Sequence, residues 1–352
     1  MHRSTSPISR QTTPISKRDR LVQELDRWGL LRSLERIAFR RGLLVVNYHR
    51  IGAGDGNPFD DAVFSALPND FESQVAYLQR HFRLLSLKEL VDFSHKEFQF
   101  TECCALITFD DGYRDNFDVA YPILHKLGAP AVFFVPTDYI ENPRLPWWDQ
   151  IAYVVKKTER PVLSLKTDPP MSLDLKTTGR QKAVFEILQA FKSAKEANEA
   201  GFLSQLAEAA EVQVDRTALG RELFMTWDEL NQMVKGGMSI GSHTHTHQIL
   251  SQLSEADQRK ELLLSRDILQ ERLKQPVTSV SYPVGRCDMF TATTKRLCRE
   301  LGYTLGFSFH RGNNRPGQTD PLDIKRLGIN STDTASLSRS RIVFTTSFGR
   351  TF

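Results

Sequence analysis

Short apolar runs recur along this chain, separated by stretches with helical periodicity. Leu43–Asn47, Ala105–Phe109 and segments near 130–136, 238–242, 278–283 and 304–308 have the length and character of buried strands. Between them, residues 70–93 put Phe71, Val75, Leu78 and Phe82 on one helical face, and 116–127, 255–274 and 290–301 also predict helices. Strands that alternate with helices in this way predict a parallel α/β architecture. No internal repeat is apparent.

Residues 141–224 interrupt that rhythm. They open on Pro146-Trp147-Trp148-Asp149, pass through a polar stretch with Pro169-Pro170, and continue into a predicted helical pair at 180–195 and 197–211. This segment is expected to be a mainly helical insertion between core elements. A Ser/Thr/Pro-rich leader at 1–16 is expected to be disordered. Residues 17–41 suit an amphipathic helix with Leu21, Leu25, Trp28, Leu31, Leu34 and Ala38 near one face. The body then runs from 43 to 330, and the tail at 331–352, rich in Ser, Thr and Arg, carries no legible chemistry. Gly52, Gly54 and Gly56 do not form a dinucleotide fingerprint, because the third glycine is misplaced and no helix start follows.

Two segments carry candidate chemistry. Asp110, Asp111 and Gly112 close the apolar run at 105–109, and His243, His245 and His247 lie about 130 residues further on. Carboxylate and neutral imidazole suit zinc, whose catalytic sites commonly take three protein ligands and keep one position open. A helical turn would bring His243 and His247 onto one face and leave His245 as a spacer. In a regular strand the two aspartates would point oppositely, but a turn at Gly112 lets both converge. One could then bind a metal while the other takes a proton from water. Taken singly, Asp-Asp-Gly is most often a turn and two histidines four apart are often coincidence.

The wording of the segments adds to their spacing. Thr108-Phe109-Asp110-Asp111-Gly112 and His243-Thr244-x-x-His247 resemble the T-F-D-D-G and H-[ST]-x-x-H motifs of the polysaccharide deacetylase family, carbohydrate esterase family 4. Leu124–Val135 resembles the helix and second strand that follow the aspartates, and the resemblance spans roughly 43–330. It implies a distorted (β/α)7 barrel with active residues at the strand C-termini. It also implies Asp110 as general base, and Asp111, His243 and His247 as ligands of one divalent metal, zinc by preference. The family's R-x-P-[FY]-G motif is matched only partly by Ser281-Tyr282-Pro283-Val284-Gly285. The resemblance assigns the Val284 amide to the oxyanion, a backbone role that survives side-chain change. Ser281 stands where the family carries an arginine that pairs with the base, which leaves the tuning of Asp110 unexplained.

The leaving amine needs a proton. Tyr48-His49-Arg50-Ile51 resembles the opening of the branch that deacetylates exported poly-N-acetylglucosamine, and there the histidine is thought to be the acid. His49 is favoured on that ground, with His310 the other candidate and a hydrogen-bonded core histidine the plain alternative. Trp148, Tyr282 and His310 are expected to contact sugar, and Trp147 and Trp148 are each suited either to stack on a pyranose or to anchor the insertion.

Composition sets limits. The chain has 352 residues, 40% hydrophobic and 25% charged, as in an ordinary globular protein. Its four cysteines form no C-x-x-C pair and are expected to be free thiols, which suits a reducing compartment. Residues 1–41 hold ten Lys or Arg against four acids, a net +6 in a chain of +4, so the excess positive charge is local. The 17–41 helix is expected either to pack on the body or to touch anionic lipid, and nucleic acid is not an expected partner. No apolar run reaches membrane-spanning length, and no signal peptide is read at the N-terminus. The expected protein is a cytoplasmic deacetylase, with possible contact to the inner membrane surface, acting on N-acetylated amino sugars of a bacterial surface polysaccharide or its precursor. The alternatives are a hydrolase of O-acetyl esters or other amides, and a glycan-binding pseudoenzyme.

Overall fold

A computed structural model describes residues 41–54, 56–193, 199–310, 312–333 and 335–348, together with Arg20, Glu24, 27–29 and 33–35. Its centre is a ring of parallel strands: β1 (Gly42–Tyr48), β2 (Cys103–Phe109), β3 (Ala131–Val135), β4 (Ser239–Ser242), β5 (Ser279–Ser281), β6 (Leu305–Ser308), β7 (Ile324–Lys325) and β8 (Leu327–Gly328). The hydrogen-bonded order is β7-β6-β5-β4-β3-β2-β1-β8. Since β7 and β8 are one strand interrupted at Arg326, the sheet closes on itself through a split seventh strand. Ile324 pairs with Phe307 on one side, and Leu327 pairs with Val46 on the other. The expected (β/α)7 barrel is therefore present.

The strands are apolar because both their faces are covered. Alternation sorts their side chains into two clusters. Leu43, Val45, Cys104, Leu106, Val132, Phe134 and Phe307 fill one, and Leu44, Val46, Tyr48, Ala105, Ile107 and Phe109 face the helices in the other. Following the first set toward the strand C-termini, the register Leu43↔Cys104, Val45↔Leu106 and Asn47↔Thr108 changes it from apolar to polar. Thr108 Oγ1 donates to Asn47 Oδ1 at 2.7 Å in that upper layer.

The helix expected over 70–93 is two helices. Pro68–His81 ends at Phe82, Arg83–Leu84 pairs with the lower half of β2, and Leu87–Ser94 starts again from a capping box of Ser86 and Glu89. The box satisfies otherwise orphaned amides, a restart that hydrophobic periodicity alone does not report. The insertion is mainly helical, with Trp147–Lys157, Arg180–Ser193 and Glu199–Ala210. It also contains an antiparallel hairpin, Val162–Leu165 with Met171–Asp174, and Pro169-Pro170 lies between its strands. The tail, which carried no legible chemistry, contains a helix at Ala335–Phe348, and Ser338 there accepts from buried Gln74 at 3.4 Å.

The leader expected to be disordered lies outside the described residues, as does most of the 17–41 helix. In the part that is described, Trp28 is 76% exposed. Glu35 is buried and accepts from Tyr77 at 2.7 Å and Arg339 at 2.8 Å, which ties this end to the body. Among the described residues no helix is long and apolar enough to cross a membrane.

One glycine marks where the barrel tolerates no extra atom. A Cβ on Gly241 would lie 2.4 Å from the Phe134 ring and 2.8 Å from Ser279 Oγ. Gly241→Ala is expected to cost about 1–3 kcal/mol through overpacking, read as a lower midpoint in urea unfolding.

Candidate active site

The site is built where β2, β4 and β5 end. Asp110 follows β2 directly, and Asp111 and Gly112 both take left-handed backbone, with φ of 75° and 76°. The reversal thus begins at Asp111 itself, one residue before the glycine, and it turns two adjacent carboxylates onto one site. After β4, His243 and His247 converge, though not through the helical turn that their spacing suggests. Residues 243–247 form a loop in which Thr244 and His247 have φ of 64° and 61°. Glu261 pins this loop, accepting from the amides of His245 at 3.0 Å and Thr246 at 2.8 Å and from the Thr246 hydroxyl at 2.7 Å. His245 turns away to Thr137 Oγ1 at 2.8 Å, as expected of a spacer.

Asp111 Oδ1 lies 3.4 Å from His243 Nε2 and 3.3 Å from His247 Nε2. One atom from each of the three residues can be chosen so that all lie within 4.8 Å of one another, and all three residues are wholly or largely buried. One carboxylate and two imidazoles in this compass fit a divalent metal with an open position. The Nδ1 of His243 meets the Ser281 carbonyl at 2.8 Å, an arrangement that leaves the Nε2 lone pair for a ligand.

Asp110 is gripped by a group the sequence motif does not contain. Arg326 Nη1 donates to Asp110 Oδ1 at 2.9 Å and Arg326 Nη2 to Asp110 Oδ2 at 2.8 Å, a bidentate pair buried at both partners. Ser281 Oγ accepts from the same guanidinium at 2.9 Å and donates to Asp110 Oδ2 at 3.2 Å. Arg326 therefore occupies in space the place that the third motif leaves open in sequence. The clue lay in the sequence as a lone arginine between Ile324 and Leu327 at the end of the domain, but nothing local says which way it points.

Burial alone would raise both aspartates. Against it, Arg326 and then His243 hold Asp110 below the ordinary carboxylate range, and hydrogen bonds from His243 and His247 hold Asp111 well below it. Burial disfavours charge on His243, yet Asp110 and Asp111 outweigh it and raise its pKa, whereas at His247 burial wins and the pKa is lowered. Behind the ligands, Asp149 is also buried, and burial pushes it up to about 7 against the pull of the Asp60 amide and Arg50.

The other expected residues divide. His49 receives the Asn116 side-chain amide on its carbonyl at 2.6 Å. His310 Nδ1 meets Asp323 at 2.8 Å, which leaves its buried Nε2 unpartnered among the described residues. Both histidines line a cavity of about 480 Å3 together with Asp60, Lys192 and Arg326. Lys192 comes from the insertion. A smaller cavity of about 280 Å3, lined by Arg41, Asn314 and Lys325, lies at the strand N-terminal end, away from the ligands. Val284 has φ of 61°, strained for a β-branched residue, between Pro283 and Gly285.

Two expectations about sugar contacts change. Tyr282 is fully buried, stacks on Phe290 at 4.1 Å and donates to the Leu322 carbonyl at 3.0 Å, so its side chain belongs to the core. Trp148 is 6% exposed with its ring 4.9 Å from His247, a wall of the ligand set more than an open platform. Trp147 packs on Phe191 at 4.6 Å and anchors the insertion.

Comparison with known proteins agrees with this geometry. The sequence profile of the family described as polysaccharide deacetylase matches residues 99–161 and 175–306, more than half of the chain. YxkH of Bacillus subtilis, named for the same family, is 22% identical over 77% of this chain and 65% of its own length. The poly-beta-1,6-N-acetyl-D-glucosamine N-deacetylase of Staphylococcus epidermidis is 30% identical over 29% of this chain and 38% of its own. The chain thus spans less than two thirds of these curated relatives. Among solved structures, the Streptococcus pyogenes deacetylase PplD superposes with a TM-score of 0.55 at 20% identity, covering 86% of this chain and 98% of that one. IcaB from Ammonifex degensii gives 0.55 at 19%, covering 86% and 97%. At these identities the likeness shows the fold.

Two measurements probe the buried charges. Arg326→Ala strands Asp110 without a counter-ion and is expected to cost roughly 3–5 kcal/mol in urea unfolding. Asp149 has the opposite linkage, because a raised carboxyl loses stability as pH climbs from its unfolded value near 3.8 to about 7. Asp149→Asn removes that loss, so its melting temperature relative to wild type is expected to rise across this window and level off above it.

Proposed function

The chain belongs to the polysaccharide deacetylase family, and on that premise we propose that it hydrolyses the N-acetyl group of N-acetylated amino sugars in a bacterial surface polysaccharide or its precursor. One observation carries the proposal: a donor set of Asp111, His243 and His247 adjoins an ionised carboxylate, Asp110, held in place by Arg326. A divalent ion bound there, which we take to be one zinc per chain, would act as a Lewis acid and lower the pKa of coordinated water. Asp110, with a lowered pKa, accepts the proton as water attacks the acetamide carbonyl. The Val284 amide donates to the developing oxyanion. His49 then protonates the departing amine.

His310, oriented by Asp323, offers Nε2 to a sugar hydroxyl in the same cavity. Trp148 closes the wall beside the acetyl group. The cavity of about 480 Å3 is of a size to take a sugar unit. Binding without turnover is the weaker alternative, because its main support was the absent motif arginine and Arg326 supplies that guanidinium.

Purified protein loaded with zinc is expected to release acetate from an N-acetylglucosamine oligomer, and chelation is expected to stop it. Asp110→Asn should keep the metal and lose roughly a hundredfold or more of turnover. Equal loss of metal and turnover would reverse the two aspartates. His49→Ala should abolish turnover while His310→Ala mainly raises KM, and the converse pattern would make His310 the acid.

A further inference from the structure

His243 and His247 are oriented by different means. The Nδ1 of His243 meets the Ser281 carbonyl, but that of His247 is buried with no hydrogen-bond partner among the described residues. A ligating imidazole is ordinarily fixed through its second nitrogen. His247 has aromatic walls instead, with Trp148 at 4.9 Å and Tyr139 at 6.5 Å between ring centroids. Trp148 is the nearer of the two, and its own orientation is fixed. Its Nε1 donates to the Tyr113 hydroxyl at 2.7 Å, which donates to Asp149 Oδ2 at 3.0 Å, and Asp149 Oδ1 accepts from the Asp60 amide at 2.9 Å. Tyr113, Trp148 and Asp149 are all buried.

The direction of this chain follows from its members. Indole N–H only donates, so Tyr113 must accept from Trp148 and pass its own proton onward. The far end must then accept twice, from Tyr113 and from the Asp60 amide. A carboxylate does so with both oxygens, whereas an amide would face one of the two donors with an N–H of its own. Among the described residues Asp149 makes no salt bridge, and the pull of the Asp60 amide and Arg50 is smaller than the cost of its burial, which works against stability. Simple packing would be served better by an apolar side chain.

We propose that Asp149 is a positioning residue for the metal centre: acting through Tyr113, it holds the Trp148 indole against His247 and thereby orients the ligand that has no hydrogen-bonded support. The inference rests on Asp111, His243 and His247 being the metal ligands. It adds a second, aromatic means of orienting the site, and it gives the Trp-Asp pair at the root of the insertion a role in the chemistry.

The test compares zinc affinity, by competition with a chromophoric chelator, in wild type, Asp149→Asn, Tyr113→Phe and Trp148→Phe. Cobalt spectra of the loaded proteins report ligand geometry, and melting of the metal-free proteins reports the fold. Each variant is expected to bind zinc about tenfold more weakly and to alter the cobalt spectrum, while the metal-free melting temperature holds in Tyr113→Phe and Trp148→Phe and does not fall in Asp149→Asn. If Asp149→Asn fails to fold, Tyr113→Phe and Trp148→Phe, which break the same chain elsewhere, decide. Wild-type affinity in the folded variants, or weakening only in proportion to lost metal-free stability, overturns the positioning role. A wild-type protein that binds neither zinc nor cobalt overturns the ligand assignment itself, and the positioning role with it.

Discussion

The structure depends on how one buried carboxylate, Asp110, is kept charged at the mouth of an apolar barrel. Beneath it lie layers of Leu, Val and Phe, and an unpaired charge in such surroundings costs several kcal/mol. The barrel meets that cost by interrupting its last strand. Between Ile324–Lys325, which pairs with β6, and Leu327–Gly328, which pairs with β1, the side chain of Arg326 reaches Asp110. The same guanidinium reaches Asn47 at 2.6 Å and lies 4.3 Å from the centroid of the Phe309 ring. Closure of the ring and supply of the counter-charge are thus one structural event, which makes the site's electrostatics and the barrel's integrity hard to separate.

A second constraint divides the labour of two adjacent aspartates. Strand geometry would send Asp110 and Asp111 to opposite faces, and the left-handed backbone at Asp111 and Gly112 cancels that separation. The two carboxylates then meet different partners, a guanidinium in one case and two imidazoles in the other. Both are held ionised by hydrogen bonds and opposite charge in spite of burial. Asp149 is equally buried and lacks an ion pair among the described residues, so it goes the other way. Three buried acids in one region thus have different acidities, set by what faces them and not by depth.

The insertion lies against the candidate site. Trp148 at its root packs on the His247 ring at 4.9 Å, and Lys192 near the end of its helix reaches the cavity that His49 and His310 share. A segment that appears in the chain as an interruption of the strand–helix rhythm therefore shapes the space where a substrate would sit.

By itself the sequence determined the alternation of strands and helices, the position of the insertion and the three residues, Asp111, His243 and His247, that the fold gathers into one candidate metal site. These are local signals: apolar period, flanking residues, and motifs whose members lie within a few positions of one another. It did not determine the break of the 70–93 helix, which a capping box at Ser86 decides, nor the loop by which His243 and His247 converge. Tyr282, adjacent to a motif position, was drawn into the core by packing against Phe290. Arg326 stayed illegible for the plainest reason. It lies 216 residues from Asp110, and only closure of the barrel brings the first and last strands side by side. Which charges exist is written in the chain, and which of them face each other is decided by the fold, because the energy of a buried charge depends on neighbours that sequence distance does not reveal.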